Sequence, residues 1–251
     1  MQVRRPELFQ VAPSCVLLDM DNTLYAYAPC HAAGMATVEA LVKDQLNLGD
    51  RDFARCFVDA TTELKNRLGR TAASHSRLLY FQRTLELAGY ASQPVVALQM
   101  EQAYWRAFLN EAVLFEEAAE FLDDLRIAGV PAVIVTDLTA QIQLRKMIHL
   151  GLDRLVDWVV TSEETGVDKP APGNFELALA KLGGVEGVVW MVGEEPLSDI
   201  AGARAAVDAV GIQKRHAGIK VVKSGTGAPD AVFDHFGELR KHFAKLPSAA
   251  A

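Results

Sequence analysis

The stretch Val16-Leu17-Leu18-Asp19-Met20-Asp21-Asn22-Thr23-Leu24-Tyr25 decides how the rest of the chain is read. The apolar run from Cys15 to Leu18 predicts a strand buried on both faces, and it stops on an acid. Asp19 and Asp21 flank Met20, so an extended backbone projects both carboxylates from one side. In a parallel sheet this is the carboxyl end of a strand, where α/β proteins bind ligands. Two carboxylates there repel each other unless a cation or protons intervene. An all-oxygen donor set suits Mg²⁺ better than zinc or copper. A turn rich in Asp and Asn after a strand has the same spacing and needs no ligand. Spacing alone leaves both readings open.

Outward from this stretch the chain changes character twice. From about His31 to Ala112 no convincing strand occurs, and the pattern is helical. Phe53, Cys56, Phe57, Ala60 and Leu64 follow the i, i+3, i+4, i+7, i+11 spacing of one buried face. Leu78, Phe81 and Leu85 mark another helix that ends near Gly89, and Met100, Tyr104 and Phe108 form a stripe on a helix that starts after Pro94. With a less regular helix around Met35 to Leu46, these predict a small bundle.

After Glu116 helices and strands alternate. Ala118, Phe121, Leu122 and Leu125 give a helix ending at Gly129, followed by a strand from Pro131 to Thr136. A helix to Gly151 leads to a strand at Trp158 to Thr161, and a helix from Pro172 ends at Gly183. Val188 to Val192 is the next strand, and weaker ones are predicted at Ala205 to Gln213 and Ala231 to Phe233. This alternation predicts an α/β fold, a Rossmann-like parallel sheet flanked by helices. The strand near residue 15 belongs to that sheet, so the helical block is an insertion. The expected division is 1–27 with 114–251 as the core and 28–113 as the inserted helical domain. The tail 247–251 is expected to be disordered.

Composition sets the outer limits. A chain of 251 residues that is 50% hydrophobic can fill a sizeable core. The net charge of −7, without a basic block, argues against nucleic acid or an anionic membrane as partner. Cys15, Cys30 and Cys56 form no C-x-x-C pair and read as reduced thiols. No apolar run reaches the roughly 18–20 residues of a membrane span, and Pro6, Glu7 and Gln10 interrupt anything like a signal core. A soluble, cytoplasmic protein is expected; oligomeric state is not encoded in any feature of this kind.

Asp-Met-Asp-Asn-Thr-Leu-Tyr resembles the first motif, Asp-x-Asp-x-Thr, of the haloacid dehalogenase superfamily of phosphohydrolases. Three further stretches resemble that family's other motifs, in order and each after a predicted strand. Thr136 stands where the second motif has Ser or Thr, and Lys169-Pro170 matches the Lys of the third. Gly193-Glu194 through Asp199-Ile-Ala-Gly-Ala203 resembles the fourth, Gly-Asp-x-x-x-x-Asp-x-x-Gly-Ala, with Glu194 in place of the usual Asp. The resemblance spans essentially the whole chain, including an insertion where the family carries a helical, C1-type cap.

The resemblance implies a Mg²⁺-dependent phosphomonoesterase acting on a small phosphorylated metabolite, a nucleotide or sugar phosphate, with neither nucleic-acid polymer nor membrane as partner. Asp19 is then the nucleophile, Asp21 the general acid and base, and Thr136 and Lys169 hold the phosphoryl oxygens. Mg²⁺ is held by Asp19, by the Asp21 carbonyl, and by Glu194 and Asp199. Backbone amides after Asp19, around Met20, and the amide of Asp137 face the substrate, with the Asp137 side chain turned away from the phosphate. Thr23 is expected to support the Asp21 loop. The acid at Asp21 disfavours carbon–halogen cleavage; a phosphosugar mutase or a non-catalytic binder of a phosphorylated ligand are the alternatives. In the helical insertion, His31, Arg67, Arg70, His75 and Arg77 are polar groups suited to a second anionic part of a substrate, foremost Arg70, His75 and Arg77 around a helix start.

Overall fold

The computed structural model of the chain describes residues 1–248. Residues 249–251 of the predicted disordered tail lie outside the described residues, while the carbonyl of Pro247 accepts the Ala12 N–H at 2.8 Å. The chain divides into two compact units, Met1–Ala26 with Val113–Ala251, and Tyr27–Ala112.

The first unit carries a seven-stranded sheet. Its strands are β1 (Gln2–Val3), β2 (Cys15–Leu18), β3 (Ala132–Thr136), β4 (Trp158–Thr161), β5 (Val189–Gly193), β6 (Val210–Lys214) and β7 (Ala231–Phe233). They lie in the order β1-β7-β6-β5-β2-β3-β4, all parallel except β1, which runs antiparallel to β7. Strands β2, β3 and β5 are buried along their whole length, as their largely apolar sequences require of strands covered on both faces. Leu18 pairs with Ile134 on one side and Val192 on the other, so β2 is an interior strand, between β5 and β3. The chain leaves β2 towards β3 and β4, then returns to build β5, β6 and β7 on the opposite side. This reversal of direction opens a crevice at the carboxyl end of β2, the topological switch point of such sheets.

The helices of the second unit are α1 (Tyr27–Leu46), α2 (Asp50–Leu68), α3 (Arg77–Leu87) and α4 (Pro94–Glu111). Helix α1 packs on α4 and α2 on α3. A Cβ at Gly34 of α1 would lie 2.6 Å from the Tyr104 ring of α4, so the absence of a side chain there permits the close approach. Phe53, Cys56, Ala60 and Leu64 form the buried stripe of α2, and Met100, Tyr104 and Phe108 that of α4. Phe57 is only half-buried and lies against Tyr80 and Phe81. Ser76 caps α3 by accepting the Leu79 N–H.

Returning to the first unit, α5 (Ala118–Ile127), α6 (Ala140–His149), the single turn α7 (Ser162–Thr165), α8 (Pro172–Lys181), α9 (Gly202–Val207) and α10 (Phe236–Phe243) separate or follow the strands. The strand expected from Ala205 begins only at Val210, because Gly202–Val207 is helical. Alanine-rich sequence favours the helix, and Asp208 ends it in the left-handed conformation. The two-residue β1 is too short to show a hydrophobic period and was not legible in the sequence. Among the described residues no helix is long and apolar enough to cross a membrane.

Candidate active site

Asp19 follows β2 directly, and its N–H donates to the Val192 carbonyl at 2.9 Å, fixing the acid between β2 and β5. The backbone then closes a tight loop in which Asp21 bridges Tyr25, with Asn22 at a φ of 63°. Asn accepts that left-handed conformation more readily than most residues, which explains the residue between the second acid and Thr23. Both oxygens of Asp19 are engaged: Oδ1 accepts from Lys169 Nζ at 2.7 Å and Oδ2 from the Thr23 hydroxyl at 2.8 Å. The Thr23 hydroxyl also lies 3.0 Å from Glu194 Oε2. Thr23 therefore ties Asp19 to Glu194 rather than supporting the Asp21 loop, since a side chain four residues after Asp19 folds back over the strand end.

Lys169 sits in the loop between α7 and α8 and bridges two buried acids, reaching Asp199 Oδ1 at 2.7 Å as well as Asp19. Burial alone would lower its amine, but the Asp19 and Asp199 carboxylates outweigh that and raise it well above the usual lysine range. Asp199 lies in the helical turn Pro196–Ala201, and its Oδ2 accepts the Glu195 N–H at 3.0 Å. A Cβ at Gly193 would stand 2.5–2.7 Å from the Asp199 side chain, so glycine at the end of β5 is what lets this acid fold in. Burial pushes the Asp199 carboxyl up to about 6, against the pull of Lys169.

Glu194 is the acid under most stress. Burial, followed by the charges of Asp19 and Asp199, pushes it up to about 11. Ligand oxygens of Asp19, Glu194 and Asp199 lie within 4.8 Å of one another, all three residues buried. This is an all-oxygen donor set whose acids burial and mutual repulsion push towards the protonated form, and a divalent cation, which favours the ionised carboxylates, fits it. The Asp21 carboxylate is not part of this set. It is turned to the Lys146 ammonium, 2.8 Å from each oxygen, and to the Tyr25 hydroxyl.

Thr136 ends β3 and accepts the Gln143 side-chain amide at 2.6 Å, which leaves its own hydroxyl proton free to donate. The Asp137 carboxylate accepts the Lys169 backbone N–H at 2.9 Å, and burial, opposed by Lys169, holds its carboxyl above the usual range. Met20 is fully buried, its carbonyl accepting the Leu24 N–H. Asp19, Asp21, Thr136, Asp137, Lys169, Glu194 and Asp199 thus line one cleft of about 190 Å³, together with Glu195 and Ser198. That is smaller than the roughly 300–1,000 Å³ of pockets that swallow whole ligands, and its size suits a phosphoryl-sized group. Glu195, Ser198, Tyr25, Gln143 and Lys146 were not singled out from sequence. A larger cleft of about 530 Å³, lined by Ser14, Arg126, Pro131 and Asp157, lies at the amino-terminal strand ends and gathers no comparable set.

The candidates of the helical unit do not share one environment. Arg70 is exposed, and Arg67 pairs with Glu63 at 3.6 Å. Arg77 is enclosed by aromatic residues: its guanidinium donates to the Tyr27 hydroxyl and the His75 carbonyl, and lies 5.2 Å and 5.5 Å from the Tyr80 and Tyr104 ring centres. His31 meets the Tyr104 hydroxyl at 2.7 Å, and burial, with Arg77, lowers its pKa to about 4, so the ring is neutral near pH 7.

A family model described as haloacid dehalogenase-like hydrolase matches residues 13–206. The chain is 45% identical over 193 residues to a ribulose-1,5-bisphosphate 5-phosphatase of Halopiger xanaduensis, covering 76% of this chain and 81% of that protein. It is 28% identical over 228 residues to a glyceraldehyde 3-phosphate phosphatase of Methanopyrus kandleri, covering 89% and 94%. Among solved structures it resembles a 2-haloacid dehalogenase from Pseudomonas syringae pv. Tomato DC3000, with a TM-score of 0.73 at 23% identity over 93% of this chain and 99% of that one, a likeness of fold.

Proposed function

The chain belongs to the haloacid dehalogenase-like hydrolase family, and on that premise we propose that it hydrolyses phosphomonoesters of small metabolites through an aspartyl-phosphate. The observation that carries this reading is a buried carboxylate at the end of β2, in one small cleft with a second carboxylate, Thr136, Lys169 and an acid pair. The relatives named as phosphatases support the same chemistry.

In this reading an oxygen of Asp19 attacks phosphorus, and the bond from phosphorus to the ester oxygen breaks. Asp21 gives its proton to the departing alkoxide, then takes one from the water that cleaves the aspartyl-phosphate and regenerates Asp19. Lys169 and Thr23, already bonded to the two Asp19 oxygens, hold the nucleophile without a reorganisation step. The free proton of Thr136, the third proton of Lys169 and backbone amides near Met20 and Asp137 serve the phosphoryl oxygens. Asp19, Glu194 and Asp199, with the Asp21 carbonyl, would hold Mg²⁺, which offsets the repulsion between the Asp19 carboxylate and a phosphate dianion. In the helical unit, Arg77 is the cation assigned to a second anionic group of the substrate; Arg70 and His75 are lesser contributors. The buried Cys15, Cys30 and Cys56, none of them in a disulfide, support a cytoplasmic setting.

The test is phosphate release, with and without Mg²⁺, from a panel of phosphomonoesters ranked by kcat/KM, sugar bisphosphates beside sugar monophosphates, nucleotides and phosphoglycolate. Mg²⁺-dependent release is expected. Phosphate binding without release from any ester, or isomerisation of a sugar phosphate without release, overturns the reading.

The metal assignment yields its own expected result. Glu194→Gln replaces a charged donor by a neutral one, so the Mg²⁺ concentration for half-activity rises, by about tenfold or more. Asp199→Asn raises it as well, and Glu194→Asp lowers it if the longer side chain is a poor reach. A Mg²⁺ titration of the three variants checks this. An unchanged titration for Glu194→Gln beside a large shift for Asp199→Asn removes Glu194 from the donor set.

A further inference from the structure

Helix α6 buries an unexpected face. Leu144 and Ile148 are 44% and 68% exposed, whereas Gln143 and Lys146 are fully buried beside Ile142 and Met147. Hydrophobicity alone would rotate this helix to bring Leu144 and Ile148 inward beside Met147 and leave Lys146 in water. Taking an ammonium out of water costs several kcal/mol unless it is well paired, so something other than apolar burial fixes this face. What fixes it is polar. Gln143 and Lys146 are three residues apart, so they project from one side of the helix. Gln143 donates to the Thr136 hydroxyl and the Asp137 carbonyl at 2.6 and 2.8 Å, at the end of β3. Lys146 reaches both oxygens of Asp21 at 2.8 Å, after β2.

We propose that Lys146 is a positioning residue that holds the Asp21 carboxylate in place for proton transfer to and from the substrate oxygen, a role that rests on the phosphatase reading above. The Asp21 side chain is 27% exposed and, left alone on its loop, would sample several rotamers. With Lys146 on both oxygens and the Tyr25 hydroxyl on Oδ1, a single orientation is specified. The fixed point is rigid, because the amine is fully buried on a helix whose neighbouring turn is anchored to β3 by Gln143. The two-point contact is that of the ionised carboxylate, the form that takes a proton from the attacking water. Once protonated, Asp21 keeps Lys146 on one oxygen and carries its proton on the other, towards a poor leaving group that needs it. Gln143 supports Thr136 in the same manner, so one helix face serves two groups of the cleft.

The phosphorylation step separates this role from a purely structural ion pair. Single-turnover rates are measured for an alkyl ester, glycerol phosphate, by rapid quench, and for an activated ester, p-nitrophenyl phosphate, from the burst of nitrophenolate. Asp21→Asn, Lys146→Met and the double variant are compared with wild type. Lys146→Met, which fills the same channel without the charge, is expected to slow the alkyl ester by about 100-fold and the aryl ester by less than about fivefold, with little change in KM. On the Asp21→Asn background the same substitution adds less than about threefold, because there is no acid left to position. Lys146→Arg, which can restore a two-point contact, recovers part of the alkyl rate. Equal losses on the two esters, or full additivity in the double variant, overturn the proposal. If Lys146→Met does not fold, Lys146→Gln, which keeps a donor, carries the same comparison. Absence of turnover in wild type defeats the phosphatase reading itself, and equal ester losses in Asp21→Asn defeat the acid role of Asp21; both are distinct from a failure confined to Lys146.

Discussion

Asp19→Asn lowers the rate of phosphate release by at least about 10⁴-fold, equivalent to about 5.5 kcal/mol in the barrier, and leaves the fold intact. The size of the effect follows from what is removed. An amide oxygen carries no charge to attack phosphorus, and no other side chain in the cleft directly follows β2. The effect on stability runs the other way. Asp19 is among the charges that push Glu194 up to about 11 and Asp199 to about 6, after burial. Neutralising it relieves that repulsion, and Asn can still accept from Lys169 with its oxygen while its amide donates to the Thr23 hydroxyl. The melting temperature without Mg²⁺ is therefore expected to hold or rise while activity is lost, the opposing trends of a strained functional site. Rapid-quench trapping of a covalent phosphate on wild type but not on the variant provides a second readout. Activity within about tenfold of wild type, a loss of only about 1.4 kcal/mol, removes Asp19 from the nucleophile's role.

How far the sequence could be read depended on which signal each part leaves. Strands β2, β3 and β5 are short unbroken apolar runs, each ending on a polar residue or glycine, and this fixed both the parallel sheet and the place where side chains converge. Asp19, Thr136, Lys169, Glu194 and Asp199 were legible because the stretches that hold them resemble the family's four motifs, in order and each after a predicted strand. The helical stripes of α2 and α4 were legible from their apolar period of 3.6.

The rest depends on tertiary position. The partner of Asp21 lies 125 residues away on α6, and a lysine within an apolar helix reads by default as a solvated side chain. Only the inversion of that helix, with Leu144 and Ile148 outside, shows that polar contacts set its orientation. Thr23 misled in a different way: neighbours in sequence implied support for Asp21, while the loop folds its hydroxyl onto Asp19 and Glu194. For α9, two helical turns of small residues before β6 carry too little periodicity to be told from a strand start. Resemblance to four short motifs thus pointed to the residues that line the cleft, and the groups that hold them emerged only from packing.

Lys169→Met should combine a loss of rate with a loss of stability that Mg²⁺ partly reverses. The Lys169 amine is buried between Asp19 and Asp199 at 2.7 Å from each, with Glu194 beside them. Removing it leaves three buried acids with no positive charge among them. Breaking a buried pair in this way costs about 3–5 kcal/mol, on the order of 10 °C in Tm for a chain of this size. Some of that is recovered as Asp199 takes up a proton, so the destabilisation is smaller at low pH than at high pH. A divalent cation at the same acids stabilises the folded state in proportion to its occupancy, which makes Tm climb more steeply with Mg²⁺ in the variant than in wild type. Catalysis does not return with stability. The amine also orients an Asp19 oxygen and neutralises charge on the transferring group, so turnover stays at least about 10³-fold down at saturating Mg²⁺. Thermal melts across a Mg²⁺ series, paired with kcat at each concentration, separate the two effects. A variant whose Tm is indifferent to both the substitution and Mg²⁺ would mean that the three acids are not an electrostatic unit, and the metal assignment would fall with it.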